Sequence, residues 1–253
     1  MTTVRIPNQF GEELDVWMEG NPSASQTIIF VHGFATDKHE TAHYFDDLAK
    51  SLAEQHRIVR FDFSGCGLSQ GRLEDIDYQK QAGELNKIIE YCRQSFSGKF
   101  SILAQSMGTF VTSLLCPAAI DRAFFTGVPN SNVDFMIQRI LNRFGSRPGA
   151  VVNLNGVSLF PRSSGVTQKI GPSFWRVLKD FKPVDAISRF AAKTKLLIIH
   201  PKQDDVVGVE FMDEYAQIPQ VTIEWIDGDH SFTKREDRTA LIRLTKAFFE
   251  TGD

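Results

Sequence analysis

Ser106 lies where a strand-like stretch of the sequence gives way to a helix-like one, and this position constrains the fold more than any other. Residues 100–104 are mostly apolar, which is typical of a buried parallel strand. After the serine, apolar residues recur with the spacing of a helix packed on a sheet: Phe110, Val111, Leu114 and Leu115. A strand, a serine and a helix in this order predict a turn that raises the serine hydroxyl out of the sheet, beside the helix N-terminus.

Small residues on both sides of Ser106 allow this turn to close tightly. Ala104 precedes the serine by two positions and Gly108 follows it by two. The turn resembles the nucleophile elbow of α/β-hydrolases, usually Gly-x-Ser-x-Gly, with alanine here in place of the first glycine. The resemblance implies that Ser106 is a nucleophile. The alternative from the residues alone is an ordinary serine in a turn, because five-residue patterns are common.

Two later strand-like stretches each end at a residue that can complete a serine-based site. Residues 195–200 form an apolar run followed by Asp204, and residues 221–226 alternate in polarity and lead to His230. In α/β-hydrolases the acid and then the histidine follow the serine along the chain. All three residues therefore come just after a predicted strand, at the sheet edge where sites form in open α/β proteins. A single histidine in a loop is more often simply solvated.

The strand predicted at residues 27–31 leads into a candidate contributor to the site. Residues 27–31 are strand-like and are followed by His32, Gly33 and Phe34. The resemblance implies that the backbone N–H groups of Phe34 and Met107 form an oxyanion hole, which needs two fixed donors where negative charge develops. A simple turn at the end of the strand is the alternative.

The resemblance to α/β-hydrolases covers nearly the whole chain. Residues 61–71 resemble the Asp-x-x-Gly-x-Gly-x-Ser loop that follows the fourth strand, and both ends of this stretch are most similar to cinnamoyl or feruloyl esterase-like members. The departures are Cys66, where histidine is usual, and Ala104. The resemblance implies an α/β fold with a mostly parallel central sheet of about eight strands, helices on both faces and a small lid insertion.

Two adjacent aspartates compete for the role of the acid. Neighbouring side chains on an extended loop point to different sides, so only one of them can face His230. The resemblance aligns the acid as the aspartate that precedes one variable residue and an apolar pair, which gives Asp204. Asp205 then faces solvent or the start of the following helix.

The sequence predicts three parts: residues 1–130 and 184–253 as the two halves of the core, and residues 131–183 as an inserted lid or cap. The insertion interrupts the alternation of strands and helices. Its residues 135–141 are helix-like, and Asn155-Gly156 predicts a hairpin within residues 150–160. Four of its residues are candidates to line an acyl pocket: Phe135, Met136, Phe160 and Trp175. A structural excursion without substrate contact is the alternative.

The remaining elements follow from periodicity. An opening hairpin is expected from residues 3–6 and 13–18, with further strands at 58–63 and 123–128. Helices are expected at residues 40–54, 78–94, 210–218 and 236–251.

Composition excludes several classes of function. The net charge is −3 with both signs interspersed, which argues against a nucleic-acid surface. The sequence contains no apolar run of about 18 residues, so no membrane span is expected. The first residues lack the apolar region of a signal peptide.

Cysteine and histidine usage favours a reduced compartment and no metal. Cys66, Cys92 and Cys116 are an odd number without the spacing of a disulfide framework, so we expect a cytoplasmic protein. His39 and His43 are four apart, but the sequence indicates no acidic or cysteine ligands that converge on them, so no metal site is expected. The oligomeric state stays open, a homodimer included.

The function expected from the sequence is hydrolysis of a small-molecule carboxylic ester through an acyl-enzyme. Ser106, His230 and Asp204 are the expected catalytic residues, and the chemistry requires no cofactor. Fold does not fix substrate, so thioester hydrolysis, peptide cleavage and acyl transfer to an alcohol remain alternatives on the same residues. A non-catalytic binding protein of the same fold is a further alternative.

Overall fold

The computed structural model describes residues 1–162 and 165–250 of the chain. Ten strands run through this part: β1 (Thr2–Pro7), β2 (Glu13–Gly20), β3 (Gln26–Val31), β4 (Arg57–Phe61), β5 (Lys99–Gln105), β6 (Arg122–Thr126), β7 (Ser158–Pro161), β8 (Thr167–Ile170), β9 (Lys195–Pro201) and β10 (Val221–Ile226). The same part contains eight α-helices: α1 (Tyr44–Leu52), α2 (Tyr78–Ser95), α3 (Met107–Leu115), α4 (Val133–Gly145), α5 (Pro172–Asp180), α6 (Pro183–Ala191), α7 (Asp213–Ala216) and α8 (Arg235–Glu250).

Eight of the strands form one sheet in the order β1-β2-β4-β3-β5-β6-β9-β10. The pairs β1–β2 and β2–β4 are antiparallel, and all other neighbours are parallel. From β3 the chain moves first to β4 on one side and later to β5 on the other. In open α/β sheets, ligands bind at the carboxyl ends of the strands beside such a switch point. The mostly parallel sheet of about eight strands predicted from the sequence is confirmed.

Helices cover both faces of the central strands, as expected. Along β3, Ile28 and Phe30 pack with residues of α1 and α8, whereas Ile29 and Val31 pack with residues of α2 and α3 on the opposite face. This alternation follows from the two-residue period of a strand. Each such side chain contributes about 1.5–3 kcal/mol when it is fully buried. The strand ends are thus firm points of attachment for the loops that follow them.

The predicted strands of this sheet lie within two residues of their observed bounds, and the helices differ more. The helix expected from residue 40 begins at Tyr44, after a 3₁₀ turn at Thr41–His43 in which Ala42 has a φ of 53°. The helix expected over residues 210–218 is only Asp213–Ala216. The last helix ends at Glu250, and its predicted final residue, Thr251, lies outside the described residues.

The inserted stretch contains α4, a two-stranded sheet of β7 and β8, and α5. The hairpin predicted around Asn155-Gly156 is present only as a turn, which within the described residues is closed by a single antiparallel bridge between Val151 and Leu159. Hydrogen bonds to a side chain replace some of the backbone hydrogen bonds that a longer hairpin would form. The Ser158 hydroxyl accepts from the Asn153 N–H at 3.0 Å and donates to the Asn153 carbonyl at 3.1 Å. Ser158 therefore begins the observed hairpin, which pairs β7 with β8.

Candidate active site

Ser106 occupies a strained turn between β5 and α3. Its φ of 49° and ψ of −122° lie in a region that non-glycine residues rarely adopt, at a cost of about 1–3 kcal/mol. The serine N–H donates to the Thr126 carbonyl on β6 at 2.9 Å, which fixes the turn to the sheet. A Cβ at Gly108 would lie 2.5 Å from the Val31 carbonyl oxygen, so only glycine lets α3 approach the end of β3.

Ser106, Asp204 and His230, which the sequence places after three separate strands, form one continuous series of hydrogen bonds. His230 Nδ1 donates to the buried Asp204 carboxylate over 2.7 Å. The other ring nitrogen, Nε2, then lacks a proton in the neutral ring and accepts from the Ser106 hydroxyl over 3.0 Å. The second oxygen of Asp204 accepts from the backbone N–H groups of Val206 and Val207. Every polar side-chain atom of Ser106, His230 and Asp204 thus has a hydrogen-bond partner.

Opposing effects set the ionisation of this pair. Burial lowers the pKa of His230, but the charge of Asp204 and its hydrogen bond raise that pKa, and the net shift is upward. Burial raises the pKa of Asp204, whereas the His230 charge and the hydrogen bonds lower it, and the net shift is downward. The geometry therefore holds an ionised carboxylate against an imidazole whose affinity for a proton is increased.

The neighbours of His230 fix the position of its ring. Gln105, at the end of β5, donates from its side-chain amide to the His230 carbonyl at 2.9 Å. Gly127 has a φ of 54°, and a Cβ there would lie 3.1 Å from the imidazole Cε1. Both the backbone conformation and the close contact therefore require glycine at this position.

Sequence reasoning missed a second histidine beside the acid. His200 is fully buried on β9, and its Nε2 lies 3.0 Å from the Gly208 carbonyl and 3.9 Å from the nearer oxygen of Asp204. Burial lowers the pKa of His200. The signal in the sequence is a histidine that ends an otherwise apolar strand just before the acid. A neutral His200 supports the loop that carries Asp204.

Phe34 and Met107, the two residues expected to provide backbone donors, line the same cavity as Ser106. Neither N–H donates to another group within the described residues. The backbone passes close to the serine here, since a Cβ at Gly33 would lie 3.2 Å from the Cβ of Ser106. The N–H of Gly33 is taken by the Glu40 carboxylate, which also accepts from the Thr36 hydroxyl.

His32 stands behind this loop and outside the hydrogen-bonded chain. Its Nε2 accepts from the Phe63 N–H at 3.0 Å and so joins the ends of β3 and β4. Asp62, in the glycine-rich loop, is fully buried and accepts from the ammonium and the backbone N–H of Lys38, both at 2.7 Å. These contacts give the loops beside Ser106 a rigid base.

A cavity of about 560 Å³ opens over Ser106 and His230. Aromatic rings form part of its wall, with Phe34 and Phe174 at 5.0 Å between ring centroids and Tyr78 and Phe174 at 5.5 Å. Of the four insertion residues expected to line an acyl pocket, Met136 and Phe160 do so.

The other two pocket candidates do not line this cavity, and the prediction is wrong for them. Phe135 packs against Phe211, with their ring centroids 5.3 Å apart. Trp175 is buried in the main core below α5, where it packs against Phe160 and Phe174. Helix α5 thus belongs to the core as much as to the cavity wall.

Asp205 is largely exposed beside the cavity, and it does not cap the next helix. Its carboxylate pairs with Arg143 of α4 at 2.7 Å, and its side chain is 64% exposed. Arg139 and Arg143 also donate to the Asp205 carbonyl, at 3.2 and 3.0 Å. The first residue of the following helix is Asp213, too far along the chain for a capping bond from Asp205. The insertion is therefore bonded directly to the loop of Asp204.

The structure supplies an acid for the two histidines that the sequence left without one. Asp46 accepts from Nδ1 of His39 at 2.8 Å and of His43 at 3.0 Å, and ligand atoms of all three lie within 4.8 Å of one another. The premise that no acid converges there is wrong. The guanidinium group of Arg60 also pairs with the Asp46 carboxylate and supplies it with a positive charge.

Comparison with known proteins decides the family. The family model described as the alpha/beta hydrolase fold matches residues 26–236. The chain belongs to the α/β-hydrolase family. No curated protein matches its sequence.

The solved structures of esterases extend this likeness to nearly the whole chain. Est1E from Butyrivibrio proteoclasticus, determined with ferulic acid bound, is 19% identical with a TM-score of 0.77, and the match covers 98% of each chain. Esterase Pf2001 from Pyrococcus furiosus is 18% identical with a TM-score of 0.75, over 98% of this chain and 89% of that one. The esterase domain of a Rhodothermus marinus protein is 17% identical with a TM-score of 0.73, over 98% and 96%. The resemblance to esterase-like α/β-hydrolases is confirmed, and at these identities it shows the fold.

None of the helices within residues 1–162 and 165–250 is both long and apolar enough to cross a bilayer.

Proposed function

We propose that this α/β-hydrolase cleaves small carboxylic esters through an acyl-enzyme on Ser106. The observation that carries the proposal is the continuous hydrogen-bonded chain from Ser106 through His230 to the buried Asp204. The Ser106 end of this hydrogen-bonded series lies at a cavity large enough for a small organic molecule. Several of the similar solved structures are esterases, which supports the same reaction class.

In the first half of the reaction, the Ser106 oxygen attacks the ester carbonyl while His230 Nε2 takes the hydroxyl proton. Asp204 stabilises the imidazolium that forms. The N–H groups of Phe34 and Met107 donate to the oxyanion, and each such donor typically contributes about 10²–10³ in rate. The tetrahedral intermediate then expels the alkoxide, which receives the proton from His230, and an acyl-Ser106 ester remains.

In the second half, water attacks the acyl carbonyl and His230 takes its proton. The intermediate collapses, the Ser106 oxygen leaves with the proton from His230, and the carboxylic acid is released. All of this chemistry is supplied by protein groups, without a cofactor.

Residues 131–183 form the lid of this proposal, set between core halves of residues 1–130 and 184–253. Met136 and Ile140 of α4 and Phe160 of β7 support this assignment because they line the cavity over Ser106. The burial of Trp175 limits it, because α5 is anchored in the core. The lid contacts are therefore assigned to α4, β7 and β8.

The proposal is tested with 4-nitrophenyl acetate, a matched acetyl thioester and acetyl 4-nitroanilide. We expect a burst of 4-nitrophenol equal to about one enzyme equivalent, followed by slower turnover, because acylation by an activated ester outpaces deacylation. The ester should be cleaved with a higher kcat/KM than the other two. A higher kcat/KM for the thioester or the anilide would reassign the reaction, and turnover of none of them would refute it.

A further inference from the structure

Three arginines meet at one wall of the cavity above Ser106. Arg143 lies in the last turn of α4, Arg147 follows that helix, and Arg162 directly follows β7. All three guanidinium groups lie over the same ring, Phe144, at 5.7, 5.0 and 4.7 Å from its centroid. These three residues, which we call the basic wall, line the cavity together with Ser106 and His230.

The charge of the basic wall is only partly balanced by the protein. Arg143 pairs with Asp205 at 2.7 Å. Arg147 donates to the Pro161 carbonyl at 2.9 Å, which is not an ion pair. Within residues 1–162 and 165–250, neither Arg147 nor Arg162 has a carboxylate within 4.0 Å.

Other acids of the cavity are committed to backbone and hydroxyl donors. The Glu40 carboxylate accepts from the N–H of Gly33 and the hydroxyl of Thr36. The Asp229 carboxylate accepts from the N–H groups of Ser231 and Thr233. These two carboxylates form no ion pair with the basic wall, whose three guanidinium groups are matched, among the described residues, only by the carboxylate of Asp205.

This charge is partly removed from water. All three arginines are only partly exposed. Burial, and then the nearby charges of Arg147 and Arg143, lower the pKa of the Arg162 guanidinium. The buried Nε of Arg143 has no hydrogen-bond acceptor among the residues that the structure describes. Like charges held this close repel one another, and contact with the Phe144 ring compensates only in part. A bound anion would relieve the repulsion and accept hydrogen bonds from the guanidinium N–H groups that line the cavity.

We propose that the basic wall binds a carboxylate or phosphate group of the substrate, so that the preferred ester carries an anionic group beyond the scissile bond. This inference rests on the proposed ester hydrolysis. Guanidinium groups match the geometry of these oxyanions and bind them through paired hydrogen bonds. The aromatic wall of Phe34 and Phe174 would contact the apolar remainder of such a molecule.

The test compares pairs of esters in which one member carries an added anionic group. For an anion in the acyl group, 4-nitrophenyl valerate is paired with the 4-nitrophenyl monoester of glutaric acid. For an anion in the alcohol, phenyl acetate is paired with 4-acetoxyphenyl phosphate. We expect kcat/KM to be at least about tenfold higher for the charged member of one pair, as for hydrogen bonds to a charged group. The pair that shows the preference locates the anion.

The variants Arg147→Gln and Arg162→Gln, alone and combined, assign the effect to the basic wall. The double variant should reduce the charged-to-neutral ratio of kcat/KM by about 10–100-fold. Arg176→Gln is the matched control, since Arg176 lies on α5 and lines a different depression. Equal losses on charged and neutral esters, or no preference in either pair, would overturn the inference.

Binding to Ser106→Ala separates this inference from the proposed function. Calorimetry with each charged ester and its neutral counterpart measures recognition without turnover. Tighter binding of the charged ester, weakened by Arg147→Gln and Arg162→Gln, supports the basic wall even if wild-type protein cleaves neither ester. Equal binding of the two esters contradicts it even if wild-type protein cleaves both.

Discussion

The strand-end edge and the inserted segment contribute to the same cavity in different ways. At the edge, Ser106, His230 and Asp204 follow directly from β5, β10 and β9, and their polar atoms have defined partners. In the insertion, two strands of four residues each and the end of α4 present arginines that share one ring and lack a full set of counter-charges. The strand-end edge, where the polar atoms have hydrogen-bond partners, is suited to catalysis. The arginines of the insertion, which lack a full set of counter-charges, are suited to binding a ligand.

The two regions are nevertheless bonded to each other. Arg139 and Arg143 of α4 donate to the carbonyls of Asp205 and Val206, directly after the acid. Deleting residues 131–183 would remove these bonds and would also expose the core around Trp175. Single substitutions therefore test the comparison better than excision does.

The largest effect is expected at the nucleophile. Ser106→Ala should lower kcat by about 10⁴–10⁶-fold, because the attacking oxygen is lost while the cavity remains. The strained turn should persist, so the melting temperature should change little. Ser113→Ala is the control, since its hydroxyl bonds to the Thr109 carbonyl on the same helix, away from the cavity. Retention of more than a few per cent of activity in Ser106→Ala would assign the chemistry elsewhere.

The next effect compares two adjacent aspartates of one loop: Asp204, which bonds to His230, and Asp205, which pairs with Arg143 of the insertion. Asp204→Asn should lower kcat by about 10⁴-fold, because an amide cannot maintain the histidine tautomer that accepts the serine proton. Asp205→Asn should stay within a few-fold of wild type, because its exposed pair with Arg143 contributes only about 0–1 kcal/mol. Steady-state kinetics on one neutral ester checks both. The reverse ranking would mean that the position of the acid is off by one residue.

The pH dependence should report the pair at the strand-end edge. Catalysis needs neutral His230, so kcat/KM should fall as pH decreases through the pKa of this residue. That pKa is raised, so the midpoint of the acidic limb should lie above 6.5. In Asp204→Asn the opposing effect of burial remains while the carboxylate is lost, so the midpoint should move to lower pH. A midpoint that does not move would separate the limb from this pair.

The smallest effect is expected in the insertion. Ile140→Ala enlarges the cavity wall on α4, whereas Ile137→Ala on the same helix removes a side chain outside the wall. Ile140→Ala should change the ratio of kcat/KM for butyrate over acetate esters by about 3–10-fold, the value of one or two methylenes in a pocket. Ile137→Ala should lower stability and leave the ratio unchanged. A larger change in Ile137→Ala would contradict the assignment of the wall.

The same division separates what the sequence predicts from what it does not. Buried parallel strands appear as continuous apolar runs, so β5 and β9 and the residues that follow them could be located without coordinates. The family order of serine, acid and histidine then assigned Ser106, Asp204 and His230.

The basic wall could not be located in the same way. Arg143 and Arg147 have the spacing of a solvated helix face. Arg162 joins them because β7 pairs with β8, and the sequence pattern predicts no such pairing. No periodicity reports the side-chain hydrogen bonds between Ser158 and Asn153 at the start of β7.

The central claim is that the chemistry of this protein passes through the Ser106 oxygen. It is tested most directly by reaction with a fluorophosphonate, followed by intact mass and peptide mapping. We expect one equivalent of label per chain, located on Ser106, and none in Ser106→Ala, because only a serine activated by a neighbouring histidine displaces the fluoride. An unlabelled wild-type protein, or a label that persists in Ser106→Ala, would contradict the claim.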